Sequence, residues 1–253
     1  RDYHKIIRKR LQQLADRIAA TVGSFGYRAF VDSAPVLEKA LASKAGLGWM
    51  GKHTVILNRS AGSYFFLGEL FTDLPLPVDE PVSSHCGSCQ ACIDICPTQA
   101  IVAPYTLDAG KCISYLTIEY RGVIPLELRR AIGNRIFGCD DCQLVCPWNR
   151  YAQASQESAF TPRHAFDGPP LLDLWAWDEP TWLKQTEGMP LRRMNYASWL
   201  RNLSIALGNA PQSPEILAAL QARKQSLAEH GQLDAVLAEH LDWAIAEQAL
   251  TPR

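Results

Sequence analysis

Apolar residues recur at helical spacing from the start of the chain. Ile6, Ile7, Leu11, Leu14 and Ile18 share one arc while Arg8, Lys9 and Arg10 occupy the rest, which predicts an amphipathic helix over residues 3–20. The run Gly23-Ser24-Phe25-Gly26 interrupts it. Tyr27 to Val31 then reads as a short strand, and Asp32 or Ser33 is placed to cap a helix running to about Ala45. Val55-Ile56-Leu57 and Tyr64 to Leu67 flank the turn-rich stretch from Asn58 to Gly62, a hairpin pattern. Pro75, Pro77 and Pro81 mark a linker. From about residue 151 the pattern becomes helical again. Trp199, Leu200, Leu203 and Leu207, then Ile216, Leu217 and Leu220, then Leu233, Val236, Leu237 and Leu241 form successive short helices, broken at Gly208 to Pro214 and at Gly231. The expected class is α+β, with a mixed segment over 1–80, a cysteine-rich segment over 81–150 and an α-helical, repeat-like segment over 151–253.

Composition narrows this further. The 253 residues make roughly one and a half to two domains of ordinary size, and 47% apolar content excludes a disordered tail. No window approaches the ~18 uninterrupted apolar residues of a membrane span, and RDYHKIIRKR is too charged for a signal-peptide core, so neither a membrane nor export is expected. The chain opens at Arg1 directly in a helical pattern, and an N-terminal portion is expected to have been removed. The net charge of −1 hides a segregation: residues 1–60 hold eleven Lys or Arg against four Asp or Glu, whereas residues 61–100 hold five acids and no base. A basic start of this kind points to a polyanion only mildly, because charged helical faces are usually just solvated.

All eight cysteines fall between residues 86 and 146, at spacings unlike a disulfide scaffold. Cys86-x2-Cys89-x2-Cys92-x3-Cys96-Pro97 is a bacterial ferredoxin run, in which three thiolates hold one cluster and the fourth reaches another. The run Cys139-x2-Cys142-x3-Cys146-Pro147 lacks a first member, which the isolated Cys112 supplies. The crossover rule assigns Cys86, Cys89, Cys92 and Cys146 to one [4Fe–4S] cluster and Cys96, Cys112, Cys139 and Cys142 to the other. Two four-thiolate zinc sites are the competing reading, but zinc sites show separated C-x2-C pairs rather than interlocking runs. The segment therefore moves electrons.

Gly46-x-Gly48-x-x-Gly51-Lys52 matches a dinucleotide fingerprint and most of a P-loop, yet a helix precedes it and a strand follows, the reverse of what either needs. Two readings stay open: a helix C-cap with a tight turn, or backbone pressed against a bulky ligand. Asp32 taken alone is an ordinary N-cap. His53, His85 and His164 lack paired ligand spacing, and Trp175, Trp177, Trp182, Trp199 and Trp243 read as core or interface.

Asp32-Ser33-Ala34-Pro35-Val36, the stretch Ala45 to Thr54, Leu67-Gly68-Glu69, the ferredoxin runs and Lys111 to Glu119 together resemble the epoxyqueuosine reductases. The likeness extends to Trp199-Leu200-Arg201-Asn202-Leu203 and Ala206-Leu207-Gly208-Asn209. It implies a cobalamin-binding α/β domain present only in part (1–80), a ferredoxin-like domain with two [4Fe–4S] clusters (81–150) and a HEAT-like helical domain (151–253). Related in its core to reductive dehalogenases, the family carries further residues ahead of the position of Arg1 that complete its cobalamin domain. The implied reaction removes the epoxide oxygen of epoxyqueuosine at the tRNA wobble position as water, with the clusters feeding electrons to cobalamin. Asp32 matches the proposed proton donor. Gly48, Gly51, Lys52, His53, Thr54, Ser114, Asp140 and Asp141 match positions that approach the corrinoid. Arg121, Arg192, Arg193 and Arg201 are then expected to meet tRNA phosphates.

The implied partners are tRNA bearing epoxyqueuosine and an external electron donor, acting on a monomer. Oxygen-sensitive clusters and a tRNA substrate favour the reducing cytoplasm. The alternatives are a ferredoxin-type electron relay and a corrinoid enzyme of the reductive dehalogenase type. The relay predicts neither corrinoid nor nucleic-acid binding.

Overall fold

The computed structural model describes residues 1–250 except positions 165 and 167. In chain order its elements begin with α1 (Tyr3–Val22), β1 (Tyr27–Phe30), α2 (Glu38–Lys44), β2 (Trp49–Met50), β3 (Ile56–Leu57) and β4 (Glu69–Thr72). Then come α3 (Ala91–Asp94), β5 (Ile101–Ala103), β6 (Thr106–Leu107), α4 (Ile113–Ile118), α5 (Leu126–Ile132) and α6 (Asp141–Leu144). The remainder is helical: α7 (Leu171–Trp175), α8 (Glu179–Gln185), α9 (Tyr196–Gly208), α10 (Pro214–Glu229) and α11 (Ala235–Ala249). The chain is thus a mixed helix and sheet protein in which the described strands form three two-stranded antiparallel ribbons.

Two compact units divide these elements: Arg1–Cys96, Ile101–Leu107 and Asp141–Phe160 in the first, Pro97–Ala100, Asp108–Asp140 and Thr161–Arg253 in the second. The cysteine-rich segment, read from sequence as a domain of its own, is shared between them.

In the first unit, α1 forms where its periodicity placed it, capped by the Asp2 carboxylate on the amide of His4. Its apolar arc meets the β1–β4 ribbon, and Gly68 gives it room, since a Cβ there would fall 2.9 Å from Ile7 and 3.1 Å from Leu11. The ribbon runs in register from Tyr27 opposite Thr72 to Phe30 opposite Glu69.

Two local expectations differ from the structure, and one open reading is decided by it. The hairpin joins β2 to β3 rather than Val55–Leu57 to Tyr64–Leu67. The reversal lies at residues 51–54, where Thr54 adopts φ 65° and donates its amide to the Gly51 carbonyl, while only a single bridge between Asn58 and Gly62 closes the later turn. Asp32 does not cap α2. It sits at φ 38° in the left-handed region, Pro35 disfavours helix at the residue before it, and α2 starts only at Glu38 behind Leu37. The Gly46–Gly51 stretch is a C-cap and turn: Gly46 takes φ 66° after α2, and a Cβ on Gly48 would lie 2.2 Å from the Leu57 carbonyl oxygen. The backbone that Gly48 is pressed against is that of its own hairpin.

The second unit is organised around α9, nearly all of which is buried. Trp199, Leu200, Leu203 and Leu207 pack with Leu220 and Leu227 of α10 and with Leu237, Leu241 and Ala244 of α11. Gly208 allows α11 to approach, since a Cβ would meet Trp243 at 2.6 Å. The tryptophans behave as core residues, with Trp175, Trp182 and Trp199 buried and Trp177 stacked on Trp199 at 5.8 Å. Asn202 donates to the carbonyls of Thr117 and Ile136, and Asn209 to those of Arg129 and Gly133, so two polar residues of α9 satisfy the ends of neighbouring segments.

Candidate functional site

Cys86 and Cys89 lie in a turn closed by the Cys89 amide on the Cys86 carbonyl at 3.1 Å, with Gly87 at φ 50°. Cys92 follows within α3, and Cys146 leaves the end of α6 just ahead of Pro147. These four thiols line one cavity of about 250 Å³ in the first unit, together with Lys52, His53, His85 and Trp148. Burial, reinforced by the charge of the neighbouring thiols, pushes Cys92 and Cys146 above the usual thiol range. The shared cavity brings Cys146 together with the first ferredoxin run.

A single zinc ion would draw four sulfurs to ~2.3 Å of one point. Among the described residues, however, no three His, Cys, Asp or Glu side chains converge closely enough to hold one ion. Four soft thiols around a shared void suit a multi-iron cube better. Of the other cysteines, Cys96 and Cys142 belong to the first unit and Cys112 and Cys139 to the second.

The cavity wall is tied down from the glycine-rich turn. Lys52 is buried, and its Nζ donates to the carbonyls of Gly87 and Cys89, each at 2.8 Å. Trp49 packs edge-on against both His85 and Trp148 at 4.9 Å. Behind Cys146, Asn149 accepts from the Ser63 amide at 2.6 Å and donates to the Gln143 carbonyl, and a Cβ on Gly62 would collide with it at 2.1 Å. Sequence reasoning missed Asn149, Trp148 and Ser63; a Trp-Asn pair directly after Cys146-Pro147 was the available signal.

Asp32 follows β1, its side chain about a third exposed. Its carboxylate accepts from the Tyr3 hydroxyl, and His4 Nε2 lies 3.3 Å away while His4 Nδ1 meets Asp2 at 2.7 Å. Glu38 lines the same small cavity, and burial plus the Asp32 charge raise its carboxyl above the ordinary range. That cavity is about 160 Å³, below the ~300–1,000 Å³ of sites that enclose a drug-sized ligand.

Of the residues expected near a corrinoid, Gly48, Gly51, Lys52, His53, Thr54 and Asp141 fall in the first unit, and Ser114 and Asp140 in the second. Gly48 and Gly51 are taken up by packing inside the turn, and Lys52 by the cysteine loop. The arginines expected on tRNA also separate. Arg192 and Arg193 are exposed, the latter paired with Glu119 at 2.6 Å; Arg121 is exposed but donates to the Ile118, Tyr120 and Arg193 carbonyls. Arg201 needs correction. It is 1% exposed, and its guanidinium donates to the carbonyls of Leu116, Tyr120 and Gly122 and to Asn202, so it is a structural cation with no face for phosphate.

Residues 85–149 match a family profile described as a 4Fe-4S double cluster binding domain, and residues 1–33 match one described as epoxyqueuosine reductase QueG, DUF1730. The epoxyqueuosine reductase of Pseudomonas aeruginosa is 62% identical over 252 residues, covering 99% of this chain and 68% of that protein. The chain belongs to the epoxyqueuosine reductase family. The enzyme of Xanthomonas campestris is 58% identical over 99% of the chain and 69% of its own length. Among solved structures, the epoxyqueuosine reductase of Streptococcus thermophilus superposes with a TM-score of 0.85 at 28% identity over 100% of this chain and 65% of that one. Another, solved with an epoxyqueuosine-modified tRNA-Tyr stem loop, gives 0.80 at 27% identity over 98% and 73%. The chain thus spans about two thirds of the length of these relatives. Membership makes it an oxidoreductase with a two-cluster segment, and no described helix is long and apolar enough to cross a membrane.

Proposed function

We propose that this chain reduces epoxyqueuosine to queuosine at the wobble position of tRNA, delivering electrons through two [4Fe–4S] clusters. The cavity that gathers Cys86, Cys89, Cys92 and Cys146 beside the family's glycine-rich turn carries this reading. Cys96, Cys112, Cys139 and Cys142 are the ligands that spacing leaves for the second cluster. Two electrons and two protons convert the epoxide to a carbon–carbon double bond and water. No side chain is a sufficient reductant, so the chain's own groups orient substrate and move protons.

Asp32 is the proposed acid for the departing oxygen. The Tyr3 hydroxyl and the His4 imidazole on its carboxylate can hold its orientation and return a proton to it. Cobalamin is the electron acceptor that the family resemblance implies. The cavity that Asp32 lines, about 160 Å³, would admit only part of so large a group. The HEAT-like assignment of residues 151–253, the monomeric state, a cytoplasmic location and an external electron donor complete the proposal. Arg121, Arg192 and Arg193, all exposed, are the remaining candidates for phosphate contact.

The test is anaerobic incubation of the protein, with a chemical reductant and added cobalamin, on an anticodon stem loop carrying epoxyqueuosine, followed by nucleoside mass analysis. Loss of one oxygen from the modified base supports the reading. Reduced clusters with unchanged RNA would favour the electron relay. Asp32→Asn is expected to keep cluster absorbance and lose product formation, and full turnover in that variant would remove Asp32 from the chemistry.

A further inference from the structure

His53 is 3% exposed on the wall of the four-thiol cavity. Its tautomer is set locally: the Val55 amide donates to Nδ1 at 3.1 Å, so in the neutral imidazole the proton resides on Nε2. The ring's place is fixed by the turn, because a Cβ on Gly51 would stand 2.7 Å from Cε1 and displace it. Nε2 is buried without a hydrogen-bond partner among the described residues. An unmatched buried N–H is costly, a penalty that a neighbouring acceptor would relieve.

Next to it, the Lys52 ammonium is buried on two neutral carbonyls of the cysteine loop. A buried cation and a buried donor beside four thiols together call for an anionic, sulfur-rich occupant.

We propose that His53 Nε2–H donates a hydrogen bond to a sulfur of the cluster held by Cys86, Cys89, Cys92 and Cys146, and thereby raises that cluster's reduction potential. This rests on the reading that these thiols hold a [4Fe–4S] cluster. Reduction adds one electron and one unit of negative charge to the cluster, spread over its sulfurs, so a fixed donor favours the reduced form. His53 is a positioning and tuning residue, not a catalytic one. The hairpin turn would then serve the redox centre twice, through Lys52 on the loop and His53 on the cluster.

The experiment is a redox titration of the anaerobically purified protein, followed by electron paramagnetic resonance, with iron and sulfide measured on every sample. His53→Leu is expected to lower the potential of one cluster and leave the other unchanged, and His53→Gln, which keeps a donor, to recover part of the shift. Potentials unchanged in a fully loaded His53→Leu protein would overturn the inference while leaving the cluster reading intact. Absence of iron and sulfide from the parent protein would instead sink the cluster reading. Should His53→Leu not load, pulsed resonance on 15N-histidine-labelled protein decides. A nitrogen coupling to the reduced cluster that disappears in His53→Gln supports the bond. No coupling, or one that persists and so belongs to His85, refutes it.

Discussion

Replacing Arg201 by glutamine separates a structural arginine from an RNA-binding one. Nη1 donates to Tyr120 and Gly122 at 2.9 and 3.0 Å, and Nη2 to Leu116 at 2.7 Å. Desolvation pushes the guanidinium down to about 10, which leaves it charged at neutral pH and bound wholly to acceptors inside the second unit. Glutamine has a single donor group and a shorter reach, so at least one or two of these carbonyls lose their partner. At ~1–3 kcal/mol for each buried acceptor left unmatched, Arg201→Gln should destabilise the unit by roughly 2–5 kcal/mol, a large share of a typical ~5–15 kcal/mol. Urea unfolding followed by tryptophan fluorescence reads this directly, because Trp199 lies on the same helix. A lost phosphate contact would instead leave stability within ~0.5 kcal/mol of the parent and lower the salt dependence of stem-loop binding by about 0.7 in log–log slope. That second pattern would refute the assignment.

Two further outcomes follow from the geometry. His240 accepts the Ile124 amide at Nε2, and burial lowers its pKa from 6.5 to about 4, so the unfolded chain binds the extra proton first as pH falls. Stability should be intact above about pH 6.5, fall by up to ~3 kcal/mol on the way to pH 4, and lose this component in His240→Gln; an identical pH profile in that variant would contradict it. For the cysteines, Cys86→Ser and Cys146→Ser should abolish the same resonance signal and spare the other. If Cys146→Ser removed instead the signal lost in Cys142→Ser, the crossover assignment would fail.

The double-cluster segment was legible because the cysteine runs are local and of fixed length, and the fold adds that Cys146 lines one cavity with Cys86, Cys89 and Cys92. The long helices were legible too, since α1 and α9 to α11 follow apolar periodicity that tertiary contacts then exploit. Arg201 was misread because a charged residue in a helix has the same signature in either role. Only the fold reveals that three carbonyls surround it. The hairpin was displaced because the reversal at Gly51–Thr54 depends on a left-handed threonine, a conformation that composition does not announce. Asp32 was taken for a cap because Asp before Ser-Ala-Pro favours one, while its actual left-handed backbone and its contacts with Tyr3 and His4 come from packing against α1. Lys52 and His53 were noticed in a glycine-rich motif whose usual readings do not apply, and their buried positions on the thiol cavity rest on a turn whose closure no local pattern displayed.

The account stands most directly on the metal content of anaerobically purified protein, measured by elemental analysis with acid-labile sulfide and Mössbauer spectroscopy. Two cubane clusters require ~8 irons and ~8 sulfides per chain with the spectrum of [4Fe–4S] centres. About two zinc ions per chain with no sulfide would contradict it.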